Sequence, residues 1–383
     1  MKHLPKRLQF ASAHRPPPSF ESAANLRQKA RAAGLDPSHW YPVEIDRKLR
    51  KGQVIEVTFW KRSIAVFRGA DGAVHAIENR CAHRQVKLSR GEVQGCTLVC
   101  LYHGWTYDGS GKVVAIPHEL FGHEMPKFRV PSFPVQIRYG LIWIFPGDPA
   151  LAEERPIPTI PELEGPRPWA CAPIVLQWRA HHSMIIDNVS DFTHQHLHRR
   201  YQPFRNAKLQ GFEATDDEVV LNYAAEIGRG RLSQLFVDRK RVDADHITLG
   251  YRYPHQWSNT GDAIKHWLFV LPVDERNSRA FFLFCFKSLK VPFLPVAIPN
   301  RLMRVILRLA NRWLIEPLLG QDGVAVEAEQ EGYERHWDAQ LAELNPVVRA
   351  FQTLTVRKWQ EYCDGQRQPA HSASAASAER AET

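Results

Sequence analysis

The sequence predicts an α+β protein: a small antiparallel β domain, then a larger α+β domain built on an antiparallel sheet. Three observations predict it. Between Trp40 and Phe145, short β-branched and aromatic runs alternate with glycine turns. A proline-rich stretch follows, carrying Pro146, Pro149, Pro156, Pro158, Pro161, Pro166 and Pro168. Beyond it, strand-like runs mix with stretches of helical period.

The elements follow in order. Residues 1–39 read as a basic N-terminal extension, broken by Pro16, Pro17 and Pro18, with a short helix over 22–33. The β domain spans 40–150, with strands at 54–59, 63–67, 74–77, 113–116 and 141–145. Gly69-Ala-Asp-Gly72 and Asp108-Gly-Ser-Gly111 supply turns between them. Many short strands with glycine turns mean a small antiparallel domain. The prolines make a stiff linker. The second domain spans 151–365, with strands at 174–178, 219–225, 246–253, 266–271 and 280–287. Its helices are expected at 184–198, 300–313, 324–340 and 346–362. The Ala- and Ser-rich tail, 366–383, is expected to be disordered.

Composition excludes several classes. With 383 residues, 44% hydrophobic and 24% charged, the chain is an ordinary globular protein of two or three domains. No run approaches the roughly 18–20 apolar residues of a membrane span. The N-terminus lacks an apolar signal core. Six cysteines do not make a disulfide scaffold, which fits a reducing, cytoplasmic setting. The net charge of +9 raises an anionic partner. The basic residues are dispersed among apolar faces, which speaks against nucleic acid.

The strongest motif is Cys81-x-His83, sixteen residues, then Cys100-x-x-His103. Two Cys/His pairs on separate loops converge on one metal centre, and thiolate with imidazole suits zinc or iron–sulfur chemistry. β-hairpins surround the motif, with no zinc-finger helix and no C-terminal H-x3-5-H closing it. This favours iron–sulfur over a structural zinc. A second cluster is Asn188-Val-Ser-Asp191-Phe-Thr-His194-Gln-His-Leu-His198. On a helix, Asn188, Asp191, His194 and His198 share a face, and two of them reach one cation. A polar, solvated helix face is the alternative. A carboxylate third ligand would come from Asp322, read as opening a helix, with Glu327 and Glu329 as rivals.

The text Cys81-x-His83…Cys100-x-x-His103-Gly-Trp105 closely resembles the Rieske domain, and the whole stretch from about Trp40 to Tyr362 resembles Rieske non-haem iron oxygenase alpha subunits. That resemblance implies an all-β Rieske domain followed by an α+β, helix-grip-like catalytic domain with an antiparallel sheet. It implies one [2Fe–2S] cluster, Cys81 and Cys100 on one iron and His83 and His103 on the other. Such a cluster has a potential of roughly −150 to +300 mV. It implies one mononuclear Fe(II) held by His194, His198 and Asp322. Asp191 becomes the acid linking a cluster histidine of one subunit to an iron histidine of the next, which implies a ring, most often a trimer. The spacing here is H-x3-H where most members have H-x4-H, and Arg199 stands at the usual ligand position. A subset of the family uses the shorter spacing, so His198 is assigned, with His196 as the rival.

No G-x-G-x-x-G opens a helix after a strand, and Gly228-Arg-Gly230 lacks that context. Electrons are therefore expected from an NAD(P)H-dependent reductase, a ferredoxin, or both. Arg301, Arg304, Arg308 and Arg312 alternate with Leu302, Ile306, Leu309 and Trp313, a basic amphipathic helix preceded by the apolar residues 291–298. This helix either packs one face inward or touches a membrane or a greasy substrate. The expected activity is hydroxylation or demethylation of a bulky, polycyclic apolar substrate with O2. Aromatic-ring cis-dihydroxylation is the alternative, and a Rieske electron-transfer protein without catalytic iron is the alternative of another class.

Overall fold

The computed structural model describes residues 15–227, 246–287 and 300–379, with side chains described except at 300, 301 and 367–379. Residues 1–14, Gly228-Arg-Gly230, the apolar run 291–298 and the Arg301 side chain lie outside this description.

The first domain carries eleven short strands: β1 (Tyr41–Ile45), β2 (Val54–Phe59), β3 (Arg62–Arg68), β4 (Val74–Glu78), β5 (Glu92–Gln94), β6 (Thr97–Val99), β7 (Thr106–Tyr107), β8 (Val113–Ala115), β9 (Ser132–Phe133), β10 (Val135–Arg138) and β11 (Leu141–Ile144). They form three antiparallel sheets, β1-β11-β10, β2-β3-β4-β9 and β5-β6-β7-β8. The β2–β3 hairpin turns through Trp60 and Lys61, both at positive φ (44° and 69°) without being glycine. Their amides donate to the carbonyls of Pro272 (2.8 Å) and Val273 (2.7 Å) in the second domain. Docking between the domains thus holds a turn that otherwise favours glycine.

The second domain is a seven-stranded antiparallel sheet among the described residues, ordered β12-β18-β17-β16-β15-β14-β13. Its strands are β12 (Ala170–Trp178), β13 (Phe204–Ala214), β14 (Glu218–Ile227), β15 (His246–Arg252), β16 (His255–Thr260), β17 (Ile264–Pro272) and β18 (Ser278–Phe286). The central strands read as near-continuous apolar runs because both faces are covered, as in Leu268 to Leu271 and Phe281 to Leu283. The helices are α1 (Leu26–Ala32), α2 (His182–Ser190), α3 (Asn300–Ala310), α4 (Glu316–His336) and α5 (Pro346–Glu379). A π-helical turn, Asn311–Ile315, joins α3 to α4 without a break. Pro317 at the start of α4 lacks a donor, and the wide turn before it accommodates that loss.

Three expectations meet a different structure. The segment read as an extension is, over residues 15–39, packed onto the second domain, with Ala30, Ala33 and Leu35 fully buried. The proline-rich linker is likewise anchored: Ile157 and Ile160 are buried, and Trp40 Nε1 donates to the Ala152 carbonyl (3.2 Å). Helix α5 takes in most of the Ala- and Ser-rich tail expected to be disordered, in keeping with the helix preference of alanine.

Candidate metal centres

Cys81 and His83 sit in the loop after β4, and Cys100 and His103 in the loop between β6 and β7. Each loop is closed by its own backbone. Cys81 N–H donates to Val86 O (2.9 Å) and Gln85 N–H to Cys81 O (2.9 Å). In the other loop, Cys100 N–H donates to Trp105 O (2.9 Å) and Gly104 N–H to Cys100 O (3.0 Å). Gly104 turns at φ +69°, and a Cβ there would meet Pro117 Cγ at 2.6 Å, so glycine is required twice over.

The four candidate ligands fall into two pairs. Cys81 and Cys100 are buried side by side, and burial, with Cys81 beside it, pushes the Cys100 thiol up. The rings of His83 and His103 lie 4.5 Å apart between centroids at the rim. His83 stacks on Trp105 (4.9 Å, 9° between planes), and Trp105 Nε1 donates to His118 Nε2 (3.2 Å). Tyr107 reaches back from β7: its hydroxyl accepts from Ala82 N–H (2.9 Å) and stands 3.2 Å from Cys81 Sγ. His83 Nδ1 is buried with no hydrogen-bond partner. An unpaired buried nitrogen beside a second imidazole and opposite two buried thiols suits a two-iron, two-sulfide group. Tyr107 and His118 escaped the sequence reading because neither belongs to a ligand pair; only their place in the fold brings them to the site.

The second centre differs from the expected helix. Helix α2 ends at Ser190, with Asp191 as its extended C-cap (φ −102°, ψ 94°). Polar side chains capture the backbone there: Ser190 Oγ donates to Asp187 O (2.8 Å), and Asp191 Oδ1 accepts from Thr193 N–H (2.9 Å). Such local bonds end helices. His194 and His198 therefore sit on a run of tight turns, closed by bonds such as Leu197 N–H to His194 O (2.9 Å). Asp322 does not open its helix either: it lies inside α4, which begins at Glu316.

Even so, His194, His198 and Asp322 converge. One ligand atom from each lies within 4.8 Å of the others. Asp322 Oδ1 is 3.3 Å from His198 Nε2 and 3.5 Å from His194 Nε2. Metal–ligand bonds of about 2.1 Å at right angles set facial donors about 3 Å apart, so little movement closes the site on a cation. Asp322 Oδ1 is buried and receives no hydrogen bond of good geometry, as a carboxylate awaiting a metal would be. His198 is oriented from behind, its Nδ1 3.0 Å from Gln321 Oε1. Burial lowers the pKa of His194; at His198 burial is outweighed by Asp322 and Gln321, and its pKa is raised. The rivals are occupied elsewhere: His196 is exposed against Arg199, Glu327 pairs with Arg179 (3.2 Å) and Glu329 with Arg31 (2.8 Å).

A cavity of about 250 Å³ opens on this centre, lined by Phe192, Phe204, Phe282, Phe284, Leu307 and Ile315, among others. Among the described residues its polar groups away from the ligands are few: Asn188, Tyr201, Ser258, Thr260 and His266. His266 Nδ1 is 2.5 Å from Ser258 Oγ, while its Nε2 is buried with no partner.

Residues 39–134 match the family of Rieske [2Fe-2S] domains, and residues 178–363 the Vanillate O-demethylase oxygenase C-terminal domain. A 4beta-methylsterol monooxygenase of Methylococcus capsulatus is 46% identical over 338 residues, 88% of this chain and 92% of that protein. The oxygenase component of dicamba O-demethylase from Stenotrophomonas maltophilia is 33% identical over 183 residues, 48% of this chain and 52% of that protein. The crystal structure of dicamba monooxygenase bound to dicamba shares the fold, with a TM-score of 0.68 at 23% identity, covering 88% of this chain and 100% of that one. A β domain with two Cys/His loops, a second domain with a two-histidine, one-carboxylate site, and near full-length likeness to one member lead to one conclusion: the chain belongs to the Rieske non-haem iron oxygenases, as a terminal oxygenase subunit with one [2Fe–2S] cluster and one mononuclear iron.

Proposed function

We propose that the chain inserts one oxygen atom from O2 into a bulky, polycyclic and largely apolar substrate of the methylsterol type, hydroxylating it or opening the way to loss of a methyl group. The observation that carries the apolar character of this substrate is the lining of the cavity. Its walls are largely phenylalanine, leucine and isoleucine, and among the described residues Asp322 is its one acidic side chain. A pocket of that chemistry binds by burying apolar surface and orients by a few polar groups. His266, whose pKa burial lowers to about 4, is neutral at physiological pH, and its free Nε2 suits one hydroxyl or keto group on an otherwise apolar molecule. The 46% identical relative is named for a methylsterol, which agrees with such a ligand.

In this reading Cys81, His83, Cys100 and His103 hold the cluster, and His194, His198 and Asp322 hold the iron. When bound, the cluster stores and relays electrons and the iron activates O2. The chain's own residues do the rest. Gln321 fixes the His198 imidazole, the aromatic walls exclude water, and His266 with Ser258 sets which carbon of the substrate faces the metal. Asp191 serves as the link between subunits of a head-to-tail homotrimer. Two observations support that arrangement. Among the described residues, the cluster-side core, from Ala65 to Val130, draws no buried residue from the second domain. Leu101 and Tyr102 stand 56% and 55% exposed beside the histidine rim, free to meet a neighbouring chain or an electron donor. The electron donor is a reductase, a ferredoxin or both, and the setting is cytoplasmic; nucleic acid has no part. Among the described residues no helix is long and apolar enough to cross a membrane.

Turnover of a detergent-dispersed 4-methylsterol under ¹⁸O2, with a surrogate reductase, tests the proposal. One labelled oxygen per product molecule is expected. Two labelled oxygens would mean dihydroxylation, and no coupled O2 uptake with any bulky apolar compound would sink the substrate assignment.

A further inference from the structure

Helix α3 has two apolar faces. Met303 and Leu307 point inward, 1% exposed each, and Leu307 and Ala310 line the cavity beside the metal centre. Asn311 Nδ2 pins the helix by donating to Ala172 O of β12 (3.0 Å). The opposite face is also apolar and lies bare: Leu302 is 53% exposed, Val305 49%, Leu309 57% and Trp313 73%. These four positions step by three, four and four residues, so they form one ridge. The sequence reading expected the leucine and tryptophan stripe to be either buried or a docking face; packing buries the neighbouring stripe instead.

Arginines run along the flank of the ridge. Arg304 and Arg308, with Arg47 of the first domain, line a cleft of about 490 Å³ between the domains, beside Tyr139 and Trp169. Among the described residues, none of these three arginines has a carboxylate partner, and Asp46 in the same cleft is taken by Arg68. Arg312 lies over the Trp313 ring (5.8 Å). From Lys287 to Arg312 the sequence holds six basic residues and no acidic one.

We infer that α3 is a membrane-docking helix: the ridge Leu302, Val305, Leu309 and Trp313 enters the acyl–headgroup boundary of an anionic phospholipid bilayer, and Arg47, Arg304 and Arg308 receive phosphate headgroups. The inference rests on the proposed apolar substrate and adds its source, because the helix that meets the bilayer outside is the wall of the cavity inside. An apolar ridge flanked by cations and ending in a tryptophan is the pattern of helices lying in that boundary. The long arginine stems lie along the apolar surface while their heads reach the phosphates. A second copy of the same face fits less well, since its α3 ridge offers no carboxylate to the arginines.

Flotation of the cluster-loaded enzyme with vesicles tests this. Binding to vesicles of phosphatidylcholine and phosphatidylglycerol in equal parts should exceed binding to phosphatidylcholine alone by about tenfold or more, and should fall as salt is raised. Arg304→Glu with Arg308→Glu, and separately Leu309→Ser with Trp313→Ser, should each cost about tenfold in binding. Both variants should keep the cluster absorption and the wild-type melting temperature, which together show that both domains fold, and should turn over detergent-dispersed substrate like the wild type. Wild type that stays off anionic vesicles, or charge-reversed protein that floats equally well, overturns the inference. So does a ridge variant that changes only the oligomeric state, which would assign the face to a second copy. Vesicle binding is read without turnover, so a wrong substrate and a wrong surface give separate results.

Discussion

Arg31 ties together α2 and α4, the helices that lead into or carry the mononuclear ligands. Its guanidinium is 3% exposed and donates to Asp187 on α2 (2.8 Å), to Glu329 on α4 (2.8 Å) and to Ser183 Oγ (2.7 Å). Helix α2 leads into Asp191 and His194, and α4 carries Asp322, so one buried cation sets the spacing between the ligand-bearing segments. Burial is the larger influence on Asp187, raising it to about 6; at Arg31 burial is outweighed by Asp187 and Glu329, and its pKa is raised. Arg31→Met leaves Asp187 buried without a counter-charge, held only by Gln352 Nε2 (2.7 Å), and should cost about 3–5 kcal/mol, measured by denaturant melts. Adding Asp187→Leu should recover much of that loss. A single variant as stable as wild type would show that the pair is idle. None of this was legible in the sequence, where Arg31 is one basic residue among many and its partners lie 150 to 300 positions away. The cluster motif was legible because its Cys and His are neighbours within short loops, so spacing alone carries the geometry. His194, His198 and Asp322 were legible as residue types and as a convergence, and the structure brings them together through turns rather than along one helix face.

At the scale of elements, strands were easier to read than helix ends. β2 spans the expected 54–59, and its neighbours differ by a residue or two, because a period of two bounded by glycine turns leaves little choice. Helix α2 was overrun by eight residues because period alone does not register side chains that capture the backbone. Helix α4 starts at Glu316 rather than at the expected 324 and takes in Gly320 and Gly323, and Gly323 is there for contact. A Cβ on Gly323 would meet Trp178 Nε1 at 2.4 Å. Gly323→Ala should therefore destabilise the protein by about 1–3 kcal/mol despite the better helix propensity of alanine, and should loosen iron retention by the adjacent Asp322. A thermal melt at or above the wild-type temperature would contradict that packing.

For the molecule as a whole, one continuous core runs from β1 of the first domain through the seven-stranded sheet to α5, and the N-terminal segment is sewn into it. His182 Nε2 is 2.7 Å from the Ala33 carbonyl, and Tyr253 Oη accepts from Asp36 N–H (2.8 Å). Burial lowers His182, His255 and His266 to about 4, about 3 and about 4. Unfolded histidine takes up its proton below about 6.5, whereas these take it up only at lower pH. Their contribution is therefore complete above about pH 6.5 and is lost as pH falls toward 4, by up to about 1.4 kcal/mol per histidine per unit. Asp187, raised to about 6, works in the opposite sense over part of that range, one group against these three and against His39 and His181, which burial also lowers. The melting temperature should fall between pH 7 and pH 5, and His182→Gln, which can still donate to Ala33, should flatten the fall. A flat profile in the wild type would contradict the buried neutral histidines.

Iron counting on purified Asp322→Ala, paired with the reduced-state EPR spectrum, bears most directly on the two-centre arrangement. Wild type should hold about three irons per chain and the variant about two, with the cluster signal unchanged and turnover abolished. A variant that keeps its third iron and its turnover would contradict the assignment of His194, His198 and Asp322 as the oxygen-activating site.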